Sequence, residues 1–295
     1  MEREYDKELL DFIQNSPSVY HMIAGQKQRL LAAGYTQLLE SETWKLRPGG
    51  KYFLTRNGSA IVAFRVPEGP FRGFMIMTSH SDSPALKVKE HPEITVEGTY
   101  RKLNVELYGG ALLAPWFDRP LSVAGRLFLR TAEGVRPCLV DAGRDLVLIP
   151  SLAIHMNREV NAGYEYRVQR DLLPLYGGPE ARDLVTLLAQ EAGADPADVL
   201  DHDLFVYDRQ APRIWGAERE FLSCPRLDDT QCAFASLTGF LESEGGESLP
   251  VHVVFDNEEI GSSTRQGADS TLLADTLRRI TAGLGLDERT YLEKL

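Results

Sequence analysis

The chain has 295 residues, 43% apolar and 25% charged, a globular balance that excludes a wholly disordered polymer. Its formal net charge of −11 argues against broad nucleic-acid binding, which leans on basic surface. No apolar run approaches the roughly 18 residues of a membrane span, and the opening MEREYDKELLDFIQ is too charged for a signal peptide, so a cytoplasmic chain is expected.

Residues 5–14 predict a short helix. Ser16-Pro17 matches a cap followed by proline at the first helical position, and the periodic stretch 18–33 ends at Gly34, a candidate left-handed terminator. Strands are expected at 51–55 and 60–66, joined through Asn57-Gly58 in a tight hairpin. Residues 74–78 are short and apolar, as for an internal strand, and run into SHSDSP. After Pro84 the texture changes. Segments 86–90, 94–98, 102–107, 121–130, 135–140, 146–149 and 164–169 read as strands punctuated by Gly and Pro, a β-rich insert. Residues 180–192 predict a helix with Leu184, Leu187 and Leu188 on one face, and 203–207 a strand. Helical texture returns at 227–242, an apolar strand at 251–255 runs into DNEEIGS, and a helix is expected over 269–282. The order is α/β, β-rich, α/β.

Three places carry chemistry. His80 and Asp82 follow an apolar strand, where an imidazole could ligate a metal while a carboxylate on its other nitrogen fixes the tautomer. A histidine and aspartate two apart at a turn are also an ordinary surface pair. Asp228-Asp229, in CPRLDDTQC, could cap a helix, or one carboxylate could span two cations. Glu258-Glu259 directly follows the buried-looking VHVVFDN, where anions cost desolvation unless a cation or donors compensate. One of this pair could hold metal while the other moves a proton from the attacking water to the leaving amine. A solvated turn is the alternative. His155 interrupts the apolar stretch LIPSLAIHMNREVN and reads alone as a partly buried histidine. Trp116-Phe117-Asp118-Arg119 reads as a packed turn with a local ion pair. Cys138, Cys224 and Cys232, odd in number and far apart, predict buried small hydrophobes rather than a disulfide framework or a thiolate zinc knuckle.

HSDSP, RLDD and DNEEIGS occur in order with YGGALLAPWFDRPLSVAGR, IPSLAIHMNR and VYDRQAPRIWG. Together they resemble the aspartyl aminopeptidases, zinc exopeptidases grouped as M18. The resemblance implies an α/β, zinc-exopeptidase-like mixed-sheet catalytic domain at 1–87 and 219–295, interrupted by a β-rich dimerisation domain at 88–218. It implies two divalent metals, zinc first and cobalt or manganese as alternatives. His80 would ligate one, Asp82 would orient it, Asp228 would bridge, Glu258 would be the general base and Glu259 a ligand of the second metal. His155 would reach a neighbouring subunit's active site. The implied substrate is a peptide with an acidic N-terminal residue, and the implied assembly a homodimer built further into a homododecamer.

RLDD stands where the related pattern has RLDN, which adds the charge of Asp229. The pattern also draws a further acidic ligand and a final histidine from beyond position 295, and His252, Asp269 and Asp275 match neither. On the resemblance each metal would keep two protein ligands in this chain, with the C-terminal part of the catalytic domain lacking. Two readings compete with the aspartyl type: a broader-specificity metalloaminopeptidase or deacylase, and a catalytically incomplete oligomerising fragment.

Overall fold

The computed structural model describes residues 4–244 and 246–293. The chain divides into two compact units, Met1–Ser83 with Arg226–Leu295, and Pro84–Pro225. The first segment opens with α1 (Glu4–Gln14) and α2 (Val19–Ala32), followed by β1 (Thr36–Gln37), β2 (Lys51–Arg56), β3 (Ala60–Arg65) and β4 (Gly73–His80). Pro17 lies outside α2, whose N-cap is Ser18. The Ser16 hydroxyl instead donates back to the Phe12 carbonyl at 2.7 Å and closes α1. Gly34, at φ +81°, ends α2 as expected, and Asn57 and Gly58 both take positive φ between β2 and β3.

The second unit contributes β5 (Ala85–Val96), β6 (Tyr100–Tyr108), β7 (Leu121–Thr131), β8 (Gly134–Asp141), α3 (Val168–Asp171), β9 (Leu175–Gly177), α4 (Leu184–Glu191), β10 (Val199–Asp208), β11 (Arg213–Trp215) and β12 (Phe221–Ser223). Six strands form an antiparallel sheet in the order β8-β7-β10-β5-β6-β9. Leu86, Val88, Leu103, Val105, Val123 and Val206 alternate into its core, with Leu184 and Leu188 of α4.

Three expectations fail in this unit. Residues 164–169 form no strand. Tyr166 packs its ring on Phe117 at 5.0 Å, and the Asp171 carboxylate accepts from the Arg167 N–H at 2.8 Å at the start of α3. The alternating tyrosines of that stretch therefore report ring packing rather than a pleat. Residues 146–149 make two isolated bridges, Leu121 to Val147 and Leu148 to Leu175, in place of a strand. Asp118 does not pair with Arg119. It accepts from the Ser151 N–H at 2.8 Å, while Arg119 bonds Asp208.

The chain returns to the first unit through α5 (Leu227–Glu242), β13 (Ser248–Phe255), α6 (Leu272–Gly283) and α7 (Glu288–Glu293). The mixed sheet runs β1-β2-β3-β13-β4, with β13 antiparallel to β3 and parallel to β4. Both faces of its centre are covered, which is why β3 and β13 are near-continuous apolar runs. Val62, Phe64, Val251 and Val253 pack with Leu272, Leu277 and Ile280 on one side. Ile61, Ala63 and Val254 meet Met22, Leu30, Leu237 and Phe240 on the other. Each of the Val, Leu, Ile, Phe and Met side chains among them contributes about 1.5–3 kcal/mol on burial. Where an internal strand was expected at 74–78, β4 pairs with β13 alone among the described residues, and Met75 and Ile76 are 59% and 37% exposed.

Candidate metal centre

β4 and β13 run parallel, and their last paired residues are His80 and Phe255. Two polar segments therefore leave the sheet side by side, His80–Ser83 and Asp256–Ile260. The Ser81 hydroxyl donates to the carbonyls of Ser59 and Phe255 at 2.7 and 3.1 Å, holding the strand ends together.

Asp82 is the anchor. It is fully buried, yet its carboxylate is satisfied from two directions. Oδ1 accepts from the Glu258 N–H and Oδ2 from the Glu259 N–H, both at 3.1 Å. His80 Nδ1 lies 3.2 Å from Oδ1 and 3.1 Å from the Asp82 carbonyl. One carboxylate thus fixes the imidazole plane and the glutamate turn. Asn257 enters that turn at φ +63°, a left-handed conformation asparagine tolerates, and its side-chain oxygen accepts from Thr264 and Gln266 at 2.7 and 3.0 Å.

With Nδ1 occupied, Nε2 faces the remaining acids. It stands 3.2 Å from Asp228 Oδ1, 3.8 Å from Asp229 Oδ2 and 4.0 Å from Glu258 Oε2. Asp228 and Asp229 depart from helical backbone at the start of α5, and neither side chain caps it. Just before them, the Arg226 guanidinium donates to the carbonyls of Ser16 and Ile13 at 3.1 and 3.2 Å. The cap expected of an acidic residue at a helix start is therefore not what these aspartates do.

The electrostatics follow from the crowding of acids. Burial alone would lower the His80 pKa, but the hydrogen bond it donates to Asp82 and the charges of Asp82, Asp229 and Glu258 raise it to about 9. Burial, then the charge of Asp82, pushes the Glu259 carboxyl up. The Cys232 thiol rises to about 11 through its hydrogen bond to Asp229, burial and the two aspartate charges, which keeps it a protonated donor. Asp256, not singled out from sequence, is buried at 4% exposure and lifted to about 6 by burial foremost.

His80, Asp228 and Asp229 each offer one donor atom, all within 4.8 Å of one another. One imidazole nitrogen and two carboxylate oxygens suit zinc or a similar divalent ion. Glu258 and Glu259 border this group through their bonds to Asp82. His155 belongs to the other unit, where it is exposed in a turn segment beside exposed Leu152, Ile154 and Met156 rather than partly buried. The cysteines form no disulfide among the described residues, with Cys232 exposed and the other two half-buried, so they are not the buried hydrophobes expected. Cys232 stays near the surface because it lies beside Asp229 near the start of α5.

The sequence profile described as aminopeptidase I zinc metalloprotease (M18) matches residues 12–294. The chain belongs to the M18 aminopeptidase family. A relative from Clostridium acetobutylicum, named "Probable M18 family aminopeptidase 2", is 41% identical over all of this chain and 70% of its own length. The cryo-EM structure of the complex of Ape4 and Nbr1 superposes with a TM-score of 0.89 at 33% identity, over 94% of this chain and 58% of that one. The S. cerevisiae mApe1 dodecamer superposes with a TM-score of 0.83 at 28% identity, over 95% of this chain and 66% of that one. This chain therefore spans under two thirds of those two M18 structures.

Proposed function

We propose that the protein is a two-metal aminopeptidase that removes Asp or Glu from peptide N-termini. The observation that carries this reading is the convergence of His80, Asp228, Asp229 and Glu258 on one point in a chain of the M18 family. Bound divalent ions would supply Lewis-acid polarisation of the scissile carbonyl and lower the pKa of water.

The chain's own residues do the rest. His80 presents Nε2 because Asp82 occupies Nδ1, so the ring is oriented before an ion arrives. Asp228, with its side chain 82% exposed, would hold the ions together with His80 and Glu259. Glu258, with its side chain 56% exposed, takes the proton of the attacking water and returns it to the leaving amine. The surrounding acids favour a free N-terminal ammonium, which selects chain ends. His155 comes from a neighbouring copy and meets the substrate carbonyl. The exposed apolar residues beside it suit such a contact between copies, and a neighbour of this fold is a dodecamer.

The test is a panel of aminoacyl anilides differing only in the N-terminal residue. Aspartyl and glutamyl substrates are expected to exceed leucyl and alanyl ones in kcat/KM by about 100-fold, as for a site built to pair a substrate charge. A flat profile, or preference for leucine, would replace the acidic specificity with a broad one.

A further inference from the structure

We propose that a cavity of the second unit, beside the β11–β12 hairpin, binds an acidic peptide segment, with a side-chain carboxylate on Arg119 and Arg213 and a neighbouring apolar side chain on Trp215. The proposal stands apart from the metal centre and does not depend on it.

Strand alternation builds one wall. Arg213 and Trp215 are two apart on β11, so both side chains stand on one face of the hairpin. Their cross-strand partners on β12, Ser223 and Phe221, share that face. The Trp215 and Phe221 rings pack at 5.0 Å, yet stay 55% and 51% exposed, an apolar platform open to solvent. The exposed Arg213 guanidinium has no hydrogen bond, ion pair or ring contact among the described residues.

The end of the six-stranded sheet builds the other wall. Asp208 ends β10 opposite Leu121, the first residue of β7, and Arg119 lies two residues before Leu121. Arg119 therefore reaches Asp208, and one of its terminal nitrogens bonds that carboxylate. The second Asp208 oxygen accepts the Gln210 N–H at 2.8 Å. Arg119 Nε is buried without a partner, a costly state that a carboxylate entering beside Arg213 would relieve. Arg119, Asp208, Arg213, Trp215 and Ser223 line a cavity of about 470 Å³, a size that suits a small ligand. Two arginines and one aspartate leave its lining with a single positive charge, against −11 for the whole chain. That charge matches one carboxylate and would leave a phosphate half compensated.

The test is calorimetry and tryptophan fluorescence of the chelator-stripped 1–295 chain with acetyl-glutamyl-phenylalaninamide. Its blocked amine and single carboxylate keep it from imitating a free N-terminus. Saturable binding is expected, about 10-fold or more tighter than for the glutaminyl counterpart or inorganic phosphate. Arg213→Ala should weaken binding by about 10-fold or more and leave zinc uptake as in the parent. Trp215→Phe should keep the affinity and lose the fluorescence change. The proposal fails if the glutamyl and glutaminyl ligands bind alike, if phosphate binds as tightly, or if Arg213→Ala matches the parent. It also fails if the fluorescence change survives in Trp215→Phe, which would place the ligand elsewhere. None of these failures touches the metal-site reading.

Discussion

Asp82 shows how much one buried carboxylate can organise. It receives two backbone N–H groups of the glutamate turn and borders His80 Nδ1, all without exposure to solvent. Hydrogen bonds to a charged group are each worth about 1.5–3 kcal/mol. Asp82→Asn keeps the shape but can accept through one oxygen only. It should lower stability in urea by about 2 kcal/mol, and the metal-free His80 should titrate well below the parent's value of about 9 in NMR. An unchanged His80 titration would place the source of its basicity in Asp229 and Glu258 instead. His252 makes the opposite case. It is fully buried against Gln26, and burial foremost lowers its pKa to about 3. Above the ordinary value near 6.5 both folded and unfolded states leave it neutral. Below that, the unfolded chain binds a proton that the folded chain refuses, so stability falls as pH drops from about 6.5 towards 3. His252→Gln should flatten this limb of the pH–stability curve. At this scale the sequence made His80, Asp228 and the glutamates legible as candidates. The closeness of Asp229 to His80 was not legible, because it depends on the first turn of α5 leaving helical geometry, which no spacing rule reports.

The elements position the site through strand ends and one loop. β13 could be read directly, since residues 251–255 are apolar at every position but His252 and are buried on both faces. The loop after it is held by backbone contact: the Asp269 N–H donates to the Ser262 carbonyl at 3.2 Å, and Gly267 packs against the same residue. A Cβ on Gly267 would lie 2.0 Å from the Ser262 carbonyl oxygen, which is backbone and cannot swing aside. Gly267→Ala should therefore cost about 1–3 kcal/mol in thermal or urea unfolding, as overpacking does, and should loosen metal uptake through Glu259. A variant as stable as the parent would mean that the loop shifts freely and does not brace the glutamates. The hairpin at Asn57-Gly58 and the terminator at Gly34 were legible because each needs a positive φ that few residues supply. Residues 164–169 were not, since tyrosines packing through their rings imitate the alternation of a strand.

At the scale of the molecule, two units of different texture share one chain, and the change at Pro84 was visible as a shift to short, punctuated strands. Edge position was not visible. β4 pairs with β13 on one side, has no strand on the other among the described residues, and exposes Met75 and Ile76. Such an edge favours pairing between copies. The 1–295 chain should associate with rising concentration in analytical ultracentrifugation, and Ile76→Lys should reduce that association. Indifference to the lysine would assign the contact to other surfaces, the exposed Leu152, Ile154 and Met156 first. On the function proposed, the acids and histidine at the ends of β4 and β13 form a metal centre that cleaves peptides from the N-terminus. The most direct test is release of aspartate from an N-terminal aspartyl peptide by chelator-stripped protein, before and after zinc is restored, with Glu258→Gln alongside. Release that appears with zinc and disappears in the variant is the predicted result. Release that survives chelation or the loss of Glu258, or a zinc-loaded chain that leaves the peptide intact, would contradict it.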